Sequence, residues 1–105
     1  MVTVTVRNKA AQPVVLSSYF VRDSSTGKVI DFPAEDPYHD SINREQGIYI
    51  LFTDGKMAMT SRSGTGFEFH GYLGGKEIVS ERYVIANDRC HIFVKSGNTN
   101  IVIDQ

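Results

Sequence analysis

The feature that most restricts the fold is a pair of alternating runs on either side of Gly74-Gly75. In the first run, Phe67 and Phe69 alternate with polar residues, and the second run is rich in β-branched and aromatic residues. Period-2 alternation around a Gly-Gly turn is typical of a β-hairpin with one buried face. The sequence therefore predicts two antiparallel strands, near 66–72 and 76–85, with both phenylalanines facing the core.

Shorter runs of the same character recur along the chain at a spacing of about ten residues, with turn residues between them. They are predicted as strands at 2–6, 14–22, 28–32, 47–53, 56–60, 89–95 and 101–103. The segment Ser41–Gln46 is compatible with one helical turn ended by Gly47. This pattern predicts an all-β fold, a single antiparallel β-sandwich of about seven strands over residues 1–105. The predicted core residues are apolar or aromatic: Val4, Leu16, Phe20, Ile30, Tyr49, Leu51, Phe67, Phe69, Ile92 and Val94.

Composition excludes several classes of partner. The net charge is -1, from eleven basic and twelve acidic residues, so no overall field attracts nucleic acid or an anionic membrane. No apolar run approaches the roughly 20 residues of a membrane span. A single cysteine, Cys90, rules out an intrachain disulfide. Met1 leads directly into a predicted strand without a signal peptide, and the location stays open, with the periplasm or cell surface expected if a signal peptide has been removed.

Three short motifs carry a resemblance to a known family. They are Val21-Arg22-Asp23 with Thr26-Gly27, Gly47-Ile48-Tyr49-Ile50-Leu51, and Phe67-x-Phe69-x-Gly71-Tyr72. Together they resemble the transthyretin-like, or carboxypeptidase regulatory-like, prealbumin-type β-sandwich domains. The resemblance implies a Greek-key sandwich that serves as an accessory or interaction module, often on secreted or cell-surface proteins. It implies no catalytic residue, since the His-Arg-His and Tyr-Arg-Gly-Ser elements of the family's enzyme branch do not occur in this sequence.

The predicted binding surface is the outward face of the hairpin around Gly74-Gly75. If the two phenylalanines point inward, Glu68, His70 and Tyr72 point outward, and Tyr83 on the partner strand is expected near them. Such a face binds protein or glycan partners, although any solvent-facing antiparallel sheet has a similar composition. The chain is therefore expected to be a non-enzymatic binding or assembly module.

Two other segments are candidate contact sites. Edge strands at Lys56–Thr60 or Val2–Val6 are expected to allow strand addition, including a homodimer. The long irregular segment Pro33–Gln46 is a third candidate, because long loops in compact domains are often functional.

The alternative function is a small metal-binding protein that uses histidine and loop carboxylates. His39 or His70 would act with acidic residues of the 33–46 segment, and Met57 and Met59 offer soft ligands for copper. The spacing matches neither a zinc motif nor an EF-hand, so no metal ligand and no cofactor are assigned.

Cys90 and His91 are adjacent in the sequence, but they are not expected to form a catalytic pair. On a strand, neighbouring side chains point to opposite faces. If Ile92 and Val94 face the core, Cys90 is expected to face it too, as a small buried hydrophobe. No nucleophile motif and no phosphate-binding loop occurs, and no catalytic residue is predicted.

Overall fold

The computed structural model describes residues 2–30 and 43–104, which form a mostly β protein with two sheets. The strands found in these residues are β1 (Val2–Asn8), β2 (Ser18–Asp23), β3 (Ile48–Phe52), β4 (Thr65–Leu73), β5 (Lys76–Asn87), β6 (Ile92–Ser96) and β7 (Asn100–Ile103). A short 3-10 helix, Asp54–Met59, follows β3. None of the helical segments in the described ranges has the length and hydropathy needed to cross a membrane.

The first sheet has the strand order β3-β1-β7, and the second has the order β2-β4-β5-β6. Every neighbouring pair is antiparallel except β1 and β7, which run parallel. The predicted all-β class is confirmed, whereas the prediction of a wholly antiparallel arrangement is wrong at this one pairing. No hairpin joins β1 to β7, because they lie at opposite ends of the described chain, so their relative direction is not set by a tight turn.

The sequence alternation of β1, the central strand of the first sheet, determines which of its side chains face the core. Val4 and Val6 are buried, while Thr3, Thr5 and Arg7 are half-buried. A helical turn at residues 43–45 leads into β3 through Gly47, which adopts φ +71° as predicted for a helix-ending glycine. A side chain at Gly47 would also collide with the Val6 carbonyl oxygen, since its Cβ would lie 2.5 Å away.

Residues of both sheets contribute to one hydrophobic core. The ring centroids of Phe52 in the first sheet and Phe67 in the second lie 4.7 Å apart. The buried residues of the core cluster are Val4, Val6, Val14, Leu16, Val21, Ile30, Tyr49, Leu51, Phe52, Phe67, Phe69, Val79, Tyr83, Ile85, Ile92 and Ile101. Most predicted core residues are among them, and Val94 packs partly buried against the cluster.

The Tyr49 hydroxyl connects the core to the segment before β2. It donates a hydrogen bond to the Val14 carbonyl oxygen (2.6 Å) and accepts one from the Leu16 amide (2.7 Å). Residues 14–17 are not in a strand, so this hydroxyl satisfies backbone groups that a sheet neighbour would otherwise pair.

The prediction that Phe20 lies in the core is wrong. The strand begins at Ser18 rather than at Val14, and its alternation places Val21 inward. Leu16 belongs to the preceding irregular segment, so the alternation does not continue from it to Phe20. The aromatic ring therefore lies on the outer side of the sheet.

The predicted hairpin is confirmed as β4 and β5, and its turn residues Gly74 and Gly75 have φ of +60° and +80°. The predicted strand at 56–60 is wrong, because Asp54–Met59 form a 3-10 helix. The Asp54 carboxylate accepts a hydrogen bond from the Ile92 amide, which ties this segment to β6. Of the predicted strand at 28–32, Val29 forms an isolated bridge with Arg22, and residues 31–32 lie outside the described ranges.

Candidate functional site

The candidate site lies on the side of the second sheet that faces away from the core, here called the outer face. We define it by Ser18, Phe20 and Arg22 on β2, Glu68, His70 and Tyr72 on β4, and Glu77 on β5. The register pairs Phe20 with His70 and Arg22 with Glu68. Residues directly opposite each other on antiparallel strands share a face, so the alternation that buries Phe67 and Phe69 also brings these side chains together.

His70 occupies the centre of the outer face and is only 8% exposed. Its Nε2 lies 3.0 Å from Glu68 Oε1, and its Nδ1 contacts Glu77 Oε1. Both ring nitrogens therefore face a carboxylate oxygen. Ser80 stands opposite His70 in the register, but neither nitrogen is free to accept a proton from its hydroxyl, so this is not a Ser-His-acid catalytic arrangement.

A β-bulge explains how Glu77 reaches His70. The register shifts between Gly71, which pairs with Val79, and Tyr72, which pairs with Glu77. Without the shift, Tyr72 would stand opposite Ile78, and Glu77 would fall on the other side of the sheet. The extra residue of the bulge thus places a carboxylate on the outer face beside the imidazole.

Arg22 completes the charged cluster. Its Nη2 donates to Glu68 Oε1 at 2.9 Å and its Nε donates to the same oxygen at 3.3 Å. The hydrogen bonds from Arg22, followed by that from His70, lower the pKa of Glu68 to about 2. The same interaction raises the pKa of the Arg22 guanidinium. Glu68 is therefore a carboxylate at all physiological pH values, held by two cationic groups when His70 is protonated.

Aromatic rings stack beside this cluster. The Phe20 ring lies 5.0 Å from the His70 ring at an interplanar angle of 22°, and 6.0 Å from the Tyr72 ring at 23°. Phe20 and Tyr72 are both half-buried. The stacking restricts the rotamers of all three side chains, because each ring packs against a neighbour.

Three of the four predicted binding residues, Glu68, His70 and Tyr72, do lie together on the outer face. The expected position of Tyr83 beside them is wrong. Tyr83 pairs with Phe67, is 1% exposed in the core, and donates a hydrogen bond to the Asn98 carbonyl oxygen at 2.5 Å. Burial raises the pKa of its hydroxyl, which strongly disfavours the ionised form.

Sequence reasoning missed four members of the face: Ser18, Phe20, Arg22 and Glu77. The three on β2 were hidden by the break in alternation before Ser18. For Glu77 a signal does exist, because Ile78 and Val79 are adjacent apolar residues between the polar pairs Lys76-Glu77 and Ser80-Glu81. Two apolar neighbours of this kind indicate a bulge, which shifts the residues before it to the opposite face.

Other candidate ligands lie apart from the outer face. Met57 and Met59 are half-buried in the 3-10 helix rather than on a strand. Cys90 is exposed, so its predicted burial is wrong: β6 begins at Ile92, and the Asp88 carboxylate holds the preceding turn by accepting the Cys90 and His91 amides. Among residues 2–30 and 43–104, no three His, Cys, Asp or Glu side chains form a group suited to a metal ion.

The predicted edge strands are also corrected. β1 lies between β3 and β7, so Val2–Val6 is central in its sheet, and Lys56–Thr60 is not a strand. The outermost strands of the described sheets are β3 and β7 in one, and β2 and β6 in the other. His39 and residues 33–42 of the predicted loop site lie outside the described ranges.

Comparison of the chain with known protein families, curated proteins and solved structures finds no match in any of the three.

Proposed function

We propose that the chain is a non-enzymatic binding or assembly module built as a transthyretin-like β-sandwich. The shared core of the two sheets supports a sandwich. The strand order supports Greek-key connectivity, because β4, β5 and β6 are consecutive neighbours, while β2 lies beside β4 and is joined to it through β3 in the other sheet.

The outer face is the proposed binding surface, and one observation carries this: aromatic and charged side chains are held there in fixed positions. Phe20 and Tyr72 are half-buried rings, and the Arg22 and Glu77 side chains are 40% and 42% exposed. Aromatic residues and arginine are enriched at protein interfaces. Side chains already ordered by hydrogen bonds and stacking lose less entropy on binding than mobile ones.

A protein partner suits this surface better than a glycan. Sugar rings bind to the open face of an aromatic ring, whereas the Phe20 ring already has two nearly parallel rings beside it. The alternating charges of Arg22, Glu68 and Glu77 instead match a partner that presents both signs. Homodimer formation through an edge strand is the competing mode of assembly.

Site-specific crosslinking tests the proposal. A photoreactive phenylalanine analogue replaces Tyr72 on the outer face, and in a matched control it replaces Val102, which is 64% exposed on the other sheet. In cells of the source organism, we expect a discrete heterologous protein to crosslink at position 72 and not at 102. The charge reversal Glu77→Lys, combined with the probe at 72, should reduce that product.

Four results would contradict the proposal. Equal products at both positions would show non-specific contact, and no product at either would leave the outer face a plain solvent-facing sheet. A crosslinked dimer of this chain at position 102 alone would favour assembly through β7. Specific retention on a glycan array, abolished by Phe20→Ala, would replace the protein partner by a sugar.

A further inference from the structure

The contacts of His70 differ in strength on its two sides. Glu68, whose side chain is 12% exposed, is also held by two N–H groups of Arg22. The Glu77 side chain is 42% exposed, and Glu77 lies on β5 two residues after Gly75 of the turn. The Glu68 contact is therefore anchored from a second strand, whereas the Glu77 contact depends on the imidazole.

An imidazole can donate from both nitrogens only when it carries a proton on each. When both carboxyl groups are ionised, the arrangement of Glu68, His70 and Glu77 requires the imidazolium form, because each ring nitrogen then faces an acceptor. A neutral ring keeps one donor and turns a lone pair toward the other carboxylate, which is repulsive. Since Glu68 is the anchored partner, the neutral ring keeps its donor on Nε2 and repels Glu77.

We propose that the proton on His70 controls the outer face: the imidazolium holds Glu77 against β4, and deprotonation releases it. The charged and titratable groups that face His70 are Glu68 and Tyr72 from β4, Glu77 from β5, and Arg22 from β2 acting through Glu68. Arg82 on β5 stands opposite Glu68 in the register. Arg22, Glu68, His70 and Glu77 together carry no net charge with the proton and one negative charge without it.

The loss of the proton has two consequences for the surface. It frees the Glu77 carboxylate to move into solvent, and it removes the His70–Glu77 side-chain contact between β4 and β5, so that the hydrogen bond from the Gly74 amide to Ser17 Oγ remains as a side-chain contact of the turn. Binding through the outer face would then depend on pH, and this extension rests on the proposed function, whereas the release of Glu77 does not.

Nuclear magnetic resonance of the isotope-labelled chain tests the release directly. The ring-nitrogen signals of His70 and the side-chain carboxyl signal of Glu77 are followed as the pH is raised, with the exposed His91 as an internal reference. We expect the two signals to change with one midpoint. In Glu77→Gln, the His70 midpoint should move to lower pH, because one carboxylate that stabilises the imidazolium is gone.

The matched control is Glu81→Gln, since Glu81 is on the same strand but pairs with Phe69 on the core side of the sheet. It should leave the His70 midpoint unchanged. The proposal is overturned if the Glu77 signal does not follow His70, or if both variants shift the midpoint equally.

Capture by the Tyr72 crosslinker on either side of the His70 midpoint separates the two proposals. Equal capture would reject control of binding while the release of Glu77 stands. Failure to capture any partner would reject the proposed function and leave the release of Glu77 to be judged by the magnetic resonance result.

Discussion

Replacing Tyr49 by phenylalanine removes one hydroxyl that makes two hydrogen bonds in the core. The Leu16 amide and the Val14 carbonyl would both lose their partner, and both residues are buried. A buried backbone group left unpaired costs about 1–3 kcal/mol, so the two together should lower the free energy of unfolding by about 2–6 kcal/mol. A typical domain has only about 5–15 kcal/mol in total.

Urea unfolding at 25 °C measures this change, and thermal unfolding provides a second value. At the lower bound, about 2 kcal/mol, the melting temperature should fall by roughly 8–16 °C for a domain of this size. Hydrogen exchange of the Leu16 amide should also become faster, since that group loses its acceptor.

Tyr72→Phe is the matched control, because it removes a tyrosine hydroxyl on the half-buried outer face. Its effect should stay within about 0.5 kcal/mol. A change of less than about 0.5 kcal/mol in Tyr49→Phe, with unaltered exchange at Leu16, would refute the view that this hydroxyl replaces a missing sheet neighbour.

Three further predictions concern a glycine, a carboxylate and the thiol. Gly71→Ala should destabilise the protein by about 1–3 kcal/mol in urea unfolding, because its Cβ would lie 2.7 Å from Leu16 Cδ1. Gly66→Ala is the control: its Cβ would meet only ordinary contacts at 3.5 Å, so the free energy of unfolding should stay the same or rise slightly. Because the pKa of Glu68 is lowered to about 2 from its usual 4.5, its contribution to stability is complete above pH 4.5 and is lost as the pH falls toward about 2. Urea midpoints across this range should therefore decline less steeply in Glu68→Gln, and parallel curves would contradict the assignment. The exposed Cys90 should react with a thiol reagent in the folded protein nearly as fast as in the urea-unfolded chain, and strong protection would show that it is buried after all.

The sequence predicts the parts of the fold that depend on local pattern. Alternation and turn glycines are local properties, so the β4–β5 hairpin and the inward positions of Phe67 and Phe69 follow directly from the residues. The helical turn that ends at Gly47 also follows, because a glycine after a short polar run is a local stop signal.

Pairing between distant segments could not be predicted in this way. The alternation of residues 14–22 is broken between Leu16, whose amide donates to the Tyr49 hydroxyl, and Ser18, where β2 begins. The side of the sheet on which Phe20 lies therefore depends on a tertiary hydrogen bond. The position of Glu77 depends on the register of the hairpin rather than on its strands. Three of the seven residues of the candidate site could therefore be predicted from the alternation of β4, and the other four required the neighbouring strands.

The parallel pairing of β1 with β7 has a consequence for synthesis. The Thr5 amide donates to the Thr99 carbonyl oxygen, and Val6 pairs with Ile101. The pairing of β1 with β7 therefore cannot form until residues 99–103 have been synthesised. On the ribosome, β1 can pair with β3 early, but its other edge stays open until residues 99–103 have emerged. Closing so long a loop is slow, and an unpaired apolar strand is open to wrong partners meanwhile. The first sheet can therefore be completed only after residues 99–103 have left the ribosome, and chaperones are expected to bind the open edge of β1 until then.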